Sequence, residues 1–408
     1  MGATADTGAD EVPPSVPGQK APTVNEILKA LGSMELEMGF NTLAQEPYKT
    51  GPLPWEDSGT ERPWADTDDA RLYALLQEQI GLKGDKDFYR ALSIYSDDRA
   101  FDPLTLILDA LSWDGIPRAG TLFVDYLGAA PTEYTSAVEC LWLCEAIARA
   151  YRPGAKCDYV PVLAGPGGIG KSTFGRKMAL EARFFTDSLS NLGDVKLTGE
   201  LIRNKWIVEL AELTGISGRA LEGVKAGLTR QVDEFRGAYC RRTSSHPRRA
   251  VFLATTNEAD FIADKSSGAR RFLPIPCASQ PPARSLFDRS FETTARQTWA
   301  EVILWMKTGD ERFRLSLTPE MEIEASKQRE TFLEEDPLLQ PTLDYLSQNT
   351  DHPICTREII ERALRMTPSQ KLCKQISRIM TNEAPGWKAD GKRVCPGFGK
   401  QRCWSHQP

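Results

Sequence analysis

One eight-residue stretch limits what this chain can fold into more than any other. Gly165-Pro166-Gly167-Gly168-Ile169-Gly170-Lys171-Ser172 closes an apolar run, Val160 to Ala164, and has the spacing G-x-x-x-x-G-K-[ST] of a phosphate-binding loop. The apolar run predicts a strand, and Lys171 to about Glu181 predicts the helix that follows it. The four glycines free the backbone to aim successive N–H groups at phosphate oxygens, and the helix N-terminus adds its own unsatisfied N–H groups. Lys171 is placed to reach the β and γ phosphates and Ser172 to hold Mg²⁺, with Thr173 beside it as a helper. Pro161 lacks a ladder donor, so this strand is expected to pair only from Val162 onward.

Composition narrows the setting. A 408-residue chain, 41% apolar and 26% charged, has room for two or three domains with cores of their own. No apolar run approaches membrane-spanning length, and the first twenty residues have no signal-peptide core. Nine cysteines without a C-x-x-C pair, and only three histidines, argue against a disulfide framework or a zinc site. A reducing cytoplasm is the natural setting. The net charge of −6 is unevenly spread: residues 1–70 hold 13 acidic against 4 basic side chains, and residues 356–408 hold 4 against 11. A polyanionic partner is therefore expected toward the C-terminus.

Along the chain, residues 1–65 read as a disordered or extended arm with one helix, Val24 to Met38, followed by a Pro/Gly-rich linker. Asp66, Asp68 and Asp69 suit either a metal or the N-cap of the helix beginning there; capping is the better fit. Residues 66–155 form a helical module containing Pro103 to Trp113 and Glu133 to Tyr151. On the latter helix Cys140 and Cys144 are read as core residues rather than ligands. Residues 156–335 form the phosphate-loop core with its trailing helices. In residues 336–408, three helices and a glycine-turned hairpin with a basic balance predict a winged-helix-like DNA-binding module.

Within the core, the strand Lys205 to Leu210 carries Glu209, with Glu212 three residues on; such carboxylates can support Mg²⁺ and activate water. Ala220 to Arg236 reads as an amphipathic helix with Lys225 and Arg236 on one stripe. The next stretch carries Arg241, Arg242, His246, Arg248 and Arg249 around a turn signal, the pattern of a basic hairpin facing a phosphate backbone. Asn257 ends the apolar strand Val251 to Thr256 at the ligand-facing side of an α/β sheet. Arg270 and Arg271 follow, and arginines of this kind can complete a phosphate site on a neighbouring subunit.

Taken jointly, these motifs resemble superfamily 3 helicases of the AAA+ class, and more closely the virulence-associated protein E family of prophages and mobile genetic islands. The resemblance rests on the phosphate loop, Leu111–Arg118 (LSWDGIPR), Trp206–Glu212 (WIVELAE), Asp233–Tyr239 (DEFRGAY), Ala254–Asn257 (ATTN) and Arg270-Arg271-Phe272. It implies an α/β AAA+ fold, with an N-terminal helical module and a small C-terminal winged-helix-like domain. Lys171 and Ser172 then look like Walker A residues, Glu209 and Glu212 like the Walker B pair, Asn257 like sensor 1, and Arg270 or Arg271 like the finger. Lys225, Arg236 and the basic hairpin match the family's DNA-facing loops. Superfamily 3 members usually place the two acidic residues side by side, whereas Leu210 and Ala211 intervene here. The division of labour between Glu209 and Glu212 stays open at this level.

The resemblance implies an ATP- and Mg²⁺-dependent helicase or translocase acting on single-stranded or forked DNA, as a homo-oligomer in the form of a hexameric ring, in replication of a phage or mobile element. Two other readings use the same residues: an ATP-binding initiator or regulatory switch that binds DNA without unwinding it, and a small-molecule kinase. No acceptor-substrate site favours the last.

Overall fold

The structure, a computed structural model, describes residues 20–189, 195–211, 227–235, 244–257, 269–332, 338–395 and 397–407. The described residues up to 257, with 270–326, make one compact unit; those from 327 onward make a second.

The first unit begins with a small module that departs from the expected extended arm. Helix α1 (Val24–Ser33) is capped by Thr23 and Glu26 in a reciprocal capping box. After it come β1 (Met38–Asn41), β2 (Glu46–Lys49) and β3 (Arg62–Pro63), an antiparallel sheet in that order. Ile27, Leu31 and Met38 are buried against Leu72 and Leu76 of α2 (Asp66–Ile80) and Phe88 and Leu92 of α3 (Asp85–Asp97). The Pro/Gly-rich stretch is thus folded. Lys49 is fully buried there, its ammonium held by the carbonyls of Ser58 and Thr60 and by Glu56. Asp68 takes the capping role: its carboxylate accepts from Ala65 N, from the Trp55 indole and from the Arg62 guanidinium. Burial raises its pKa, but these donors outweigh burial and hold it at about 2.

The main core is organised by α6 (Glu133–Tyr151), buried on nearly every side, as expected of a central helix. The short helices α4 (Pro103–Asp109) and α5 (Leu122–Leu127) precede it. Next come β4 (Val160–Ala164), α7 (Lys171–Met178), β5 (Phe185–Thr186), α8 (Val195–Ile202), β6 (Ile207–Ala211), the hairpin strands β7 (Val232–Phe235) and β8 (Ser244–Pro247), β9 (Val251–Thr256) and β10 (Phe272–Pro276). A five-stranded, wholly parallel sheet runs β10-β4-β9-β6-β5. The expectation for Pro161 holds on one side only: β4 pairs with β9 from Val162 onward, but with β10 already from Val160, Pro161 included. On the other side β10 is an edge strand, which tolerates Pro274 and Pro276.

Three buried tryptophans lock the helices to the sheet, each satisfying its indole N–H on a backbone carbonyl. Trp142 donates to Phe252, Trp206 to Ala146 and Trp299 to Met178. The motif Leu111–Arg118 is tied to the helix Ser290–Thr308. Gln297 bonds Asp114 N and Ser112 O, and Glu301 accepts from the backbone N–H of Arg118 and Ala119. The expected helix Ala220 to Arg236 is corrected over its described part, since Val232–Phe235 is extended and pairs antiparallel with Ser244–Pro247.

The second unit packs Leu346, Ile359, Ile376 and Met380 against Trp387 and Trp404. Its sheet runs β11 (Ile354–Cys355), β13 (Gly399–His406), β12 (Trp387–Cys395), with the helices Leu339–Gln348 and Gln370–Asn382 alongside and a π turn at Ile359–Ala363. No helix among the described residues is long and apolar enough to cross a membrane.

Candidate nucleotide-binding site

Strands β4, β9 and β6 are adjacent and parallel, so their C-terminal ends bring three remote sequence motifs to one place. Lys171, at the first turn of α7, donates from Nζ to the carbonyls of Gly165 (2.7 Å) and Pro166 (2.8 Å) and to Asn257 Oδ1 (3.0 Å). Burial pulls its pKa below the ordinary lysine value, although nearby Cys277 and Glu209 push the other way. Ser172 Oγ and Thr255 Oγ1 both donate to Glu209 Oε1 at 2.6 Å. Glu209 is 1% exposed, and its Oε2 has no hydrogen-bond partner among the described residues. A carboxylate oxygen buried without a partner is costly, which marks this position as one that a ligand can relieve.

Around these groups lies a cavity of about 330 Å³, bounded by the loop glycines, Asn257 and Phe287. The glycines are required by contact and by torsion. A Cβ on Gly170 would lie 2.7 Å from Leu286 Cδ1, and one on Gly165 would lie 2.9 Å from the Cys277 carbonyl. Gly168 and Gly170 both have positive φ, 82° and 97°. Pro166, Gly167, Ile169 and Thr173 complete the turn.

Arg270 and Arg271 lie elsewhere. They precede β10, whose Phe272 pairs with Val160 and Pro276 with Ala164, so they sit at the N-terminal edge of the sheet. A strand of this length separates them from the phosphate loop of their own chain by about 15 Å. They border a polar cavity of about 310 Å³ with Asp158, Tyr159 and Glu322.

The basic hairpin is only partly as expected. Arg248 is buried, its guanidinium forked onto Asp233 (3.0 and 2.7 Å) and held by the Gly227 carbonyl. Arg249 pairs with Asp102 at 2.6 Å and donates to the Ala150 carbonyl. Both arginines hold the fold together and are not offered to a phosphate backbone. His246 is half-buried opposite Asp233; burial and nearby Arg203 lower its pKa, against Asp233, which raises it. Glu212, Lys225, Arg236, Arg241 and Arg242 lie outside the described residues. Sequence reasoning missed Thr255, the second donor to Glu209, and Phe287, whose only signal was an aromatic residue in a turn-rich stretch.

Fold and site together define an α/β protein with a glycine-rich loop at the C-terminal edge of a parallel sheet. A profile of the virulence-associated protein E-like domain matches residues 108–334, and the chain belongs to that family. Three apo structures of the NrS-1 C-terminal region resemble it. The A form (305–718) has 13% identity and a TM-score of 0.50, covering 94% of this chain and 100% of that one. A second apo structure of that region has 14% identity, the same score, and covers 94% and 99%. Another A form has 12% identity and covers 95% and 100%, again at 0.50. At such identities the likeness concerns the fold alone. No curated protein matches the sequence.

Proposed function

We propose that this chain is an ATPase of the AAA+, superfamily 3 type that uses ATP and Mg²⁺ to move on or unwind DNA in replication of a phage or mobile element. The observation that carries this reading is the shared hydrogen-bonding of Ser172 and Thr255 on Glu209 beside the Lys171–Asn257 pair. Strand order supports it, because only adjacency of β4, β9 and β6 brings these groups into contact. On ATP entry Lys171 exchanges the loop carbonyls for phosphate oxygens, and Asn257, released from Lys171, orients water or the γ phosphate.

The donor set fits Mg²⁺: a loop hydroxyl, Ser172, and the unpartnered carboxylate oxygen of Glu209. When bound, the ion would neutralise charge developing on the phosphates. The Ser172–Glu209 contact favours Glu209 as the metal-supporting carboxylate, leaving Glu212 as the base. Arg270 and Arg271, remote from their own phosphate loop, would act on a second copy. That requirement favours a ring, hexameric in this reading, because a head-to-tail interface closes by rotation. The second unit, with Lys388, Lys392, Arg393, Lys400 and Arg402 on its hairpin strands, would serve as a winged-helix-like DNA module.

Strand displacement on a labelled fork tests the reading. ATP-dependent release of the labelled strand, lost in Lys171→Ala, is the expected result. Nucleotide-dependent DNA binding with the fork left intact would instead favour a replication initiator or switch.

A further inference from the structure

The segment between β10 and the helix Ser290–Thr308 is held like a scaffold. Its backbone is laced to the end of α5 and to β4: Cys277 N donates to Ala164 O, Ala278 N to Leu127 O, Gln280 N to Gly128 O and Arg284 N to Asp125 O. Leu286 then packs onto Gly170, its Cδ1 2.7 Å from where a Cβ would stand, so a side chain there would have to displace it. The next residue, Phe287, is 72% exposed, although the segment bearing it is fixed. A large aromatic face left in water at a fixed position has lost its conformational freedom without gaining burial.

Phe287 stands between two cavities. It forms part of the rim of the phosphate-loop cavity, and it also lines a second cavity of about 560 Å³ with Ile169, Tyr126 and Arg284. Ile169 belongs to the phosphate loop itself, so the second cavity begins where the first ends. A nucleotide carries its base across the ribose from its phosphates, so with the phosphates on the loop the adjoining cavity is a place for the base. The second cavity has the size typical of small-molecule sites.

We propose that Phe287 is the base-stacking residue of this site, and that the nucleobase of the bound nucleotide enters the cavity between Phe287 and Ile169. The proposal rests on the phosphate-loop reading above and adds what that reading lacks, a place for the base. A ring face of this kind recognises a flat base by stacking and is tolerant of its hydrogen-bonding edge. The site is therefore expected to accept purine nucleotides broadly, ATP and GTP alike.

The test compares ligands with and without a base. Binding of ATP and of inorganic tripolyphosphate is measured by calorimetry on the full chain with Mg²⁺, for wild type, Phe287→Ala and Phe287→Trp. Stacking predicts that Phe287→Ala weakens ATP roughly tenfold to a hundredfold and leaves tripolyphosphate unchanged. Phe287→Trp keeps ATP affinity. ATP binding unchanged in Phe287→Ala, or equal losses for both ligands, overturns the stacking role while leaving the phosphate site standing. A wild-type chain that binds neither ligand overturns both readings.

Discussion

The two edges of the central parallel sheet hold polar groups in opposite ways. At the C-terminal edge Lys171, Ser172, Glu209, Thr255 and Asn257 are linked by hydrogen bonds, yet Glu209, which borders a cavity, keeps Oε2 buried without a partner among the described residues. At the N-terminal edge Arg248 and Arg249 are closed off by Asp233 and Asp102, while Arg270 and Arg271 stand beside a polar cavity. A charge saturated by its own chain stabilises; a group with an unfilled valence waits for a ligand. The difference teaches that basic residues near a nucleotide site cannot be assigned to DNA or phosphate before their local partners are known.

Substitutions at the N-terminal edge separate these roles. Replacing Arg270 and Arg271 together by Ala should lower ATP turnover by about a thousandfold if they serve another copy's phosphate site. Mixing that variant with Lys171→Ala should restore part of the turnover, since each then supplies what the other lacks. Turnover that stays at background in every mixture breaks the assignment in trans. Arg248→Ala, in contrast, should cost about 3 kcal/mol of stability in urea denaturation, because buried Asp233 is left with only the longer contact to Arg230 at 3.4 Å. ATP turnover per folded molecule should hardly change. A double replacement, Arg248→Met with Asp233→Leu, should recover most of the loss.

A further effect concerns pH. Burial pushes the carboxyl of Glu139 up to about 7, against three backbone N–H donors, and that of Glu145 up to about 8. Both bind a proton more tightly folded than unfolded. Their contribution is complete below the ordinary glutamate range and is lost as pH rises through 7 to 8. Stability should therefore fall between pH 5 and pH 8 by at most about 1.4 kcal/mol per group per pH unit, and Glu139→Gln should flatten the slope. An unchanged slope in that variant places the titration elsewhere.

Much of the architecture was legible because its signals are local. The phosphate loop, the strands Val160–Ala164 and Val251–Thr256, and the helix Glu133–Tyr151 announce themselves through periodicity and glycine spacing. The strands β1 to β3 did not, because their pairing and the burial of Lys49 depend on contacts across a Pro/Gly-rich stretch. Val232–Phe235 carries apolar residues at helical spacing with its neighbours, yet pairs with Ser244–Pro247. Arg248 was misjudged for the same reason: Asp233, fifteen residues earlier, neutralises it only once that hairpin forms.

The most direct test of the account is ATP turnover, with and without single-stranded DNA, in wild type and Glu209→Gln. The account predicts turnover stimulated by DNA in wild type and reduced by about a hundredfold or more in the variant, because the metal-supporting carboxylate is lost, with ATP still bound. Equal turnover in the two proteins would contradict it.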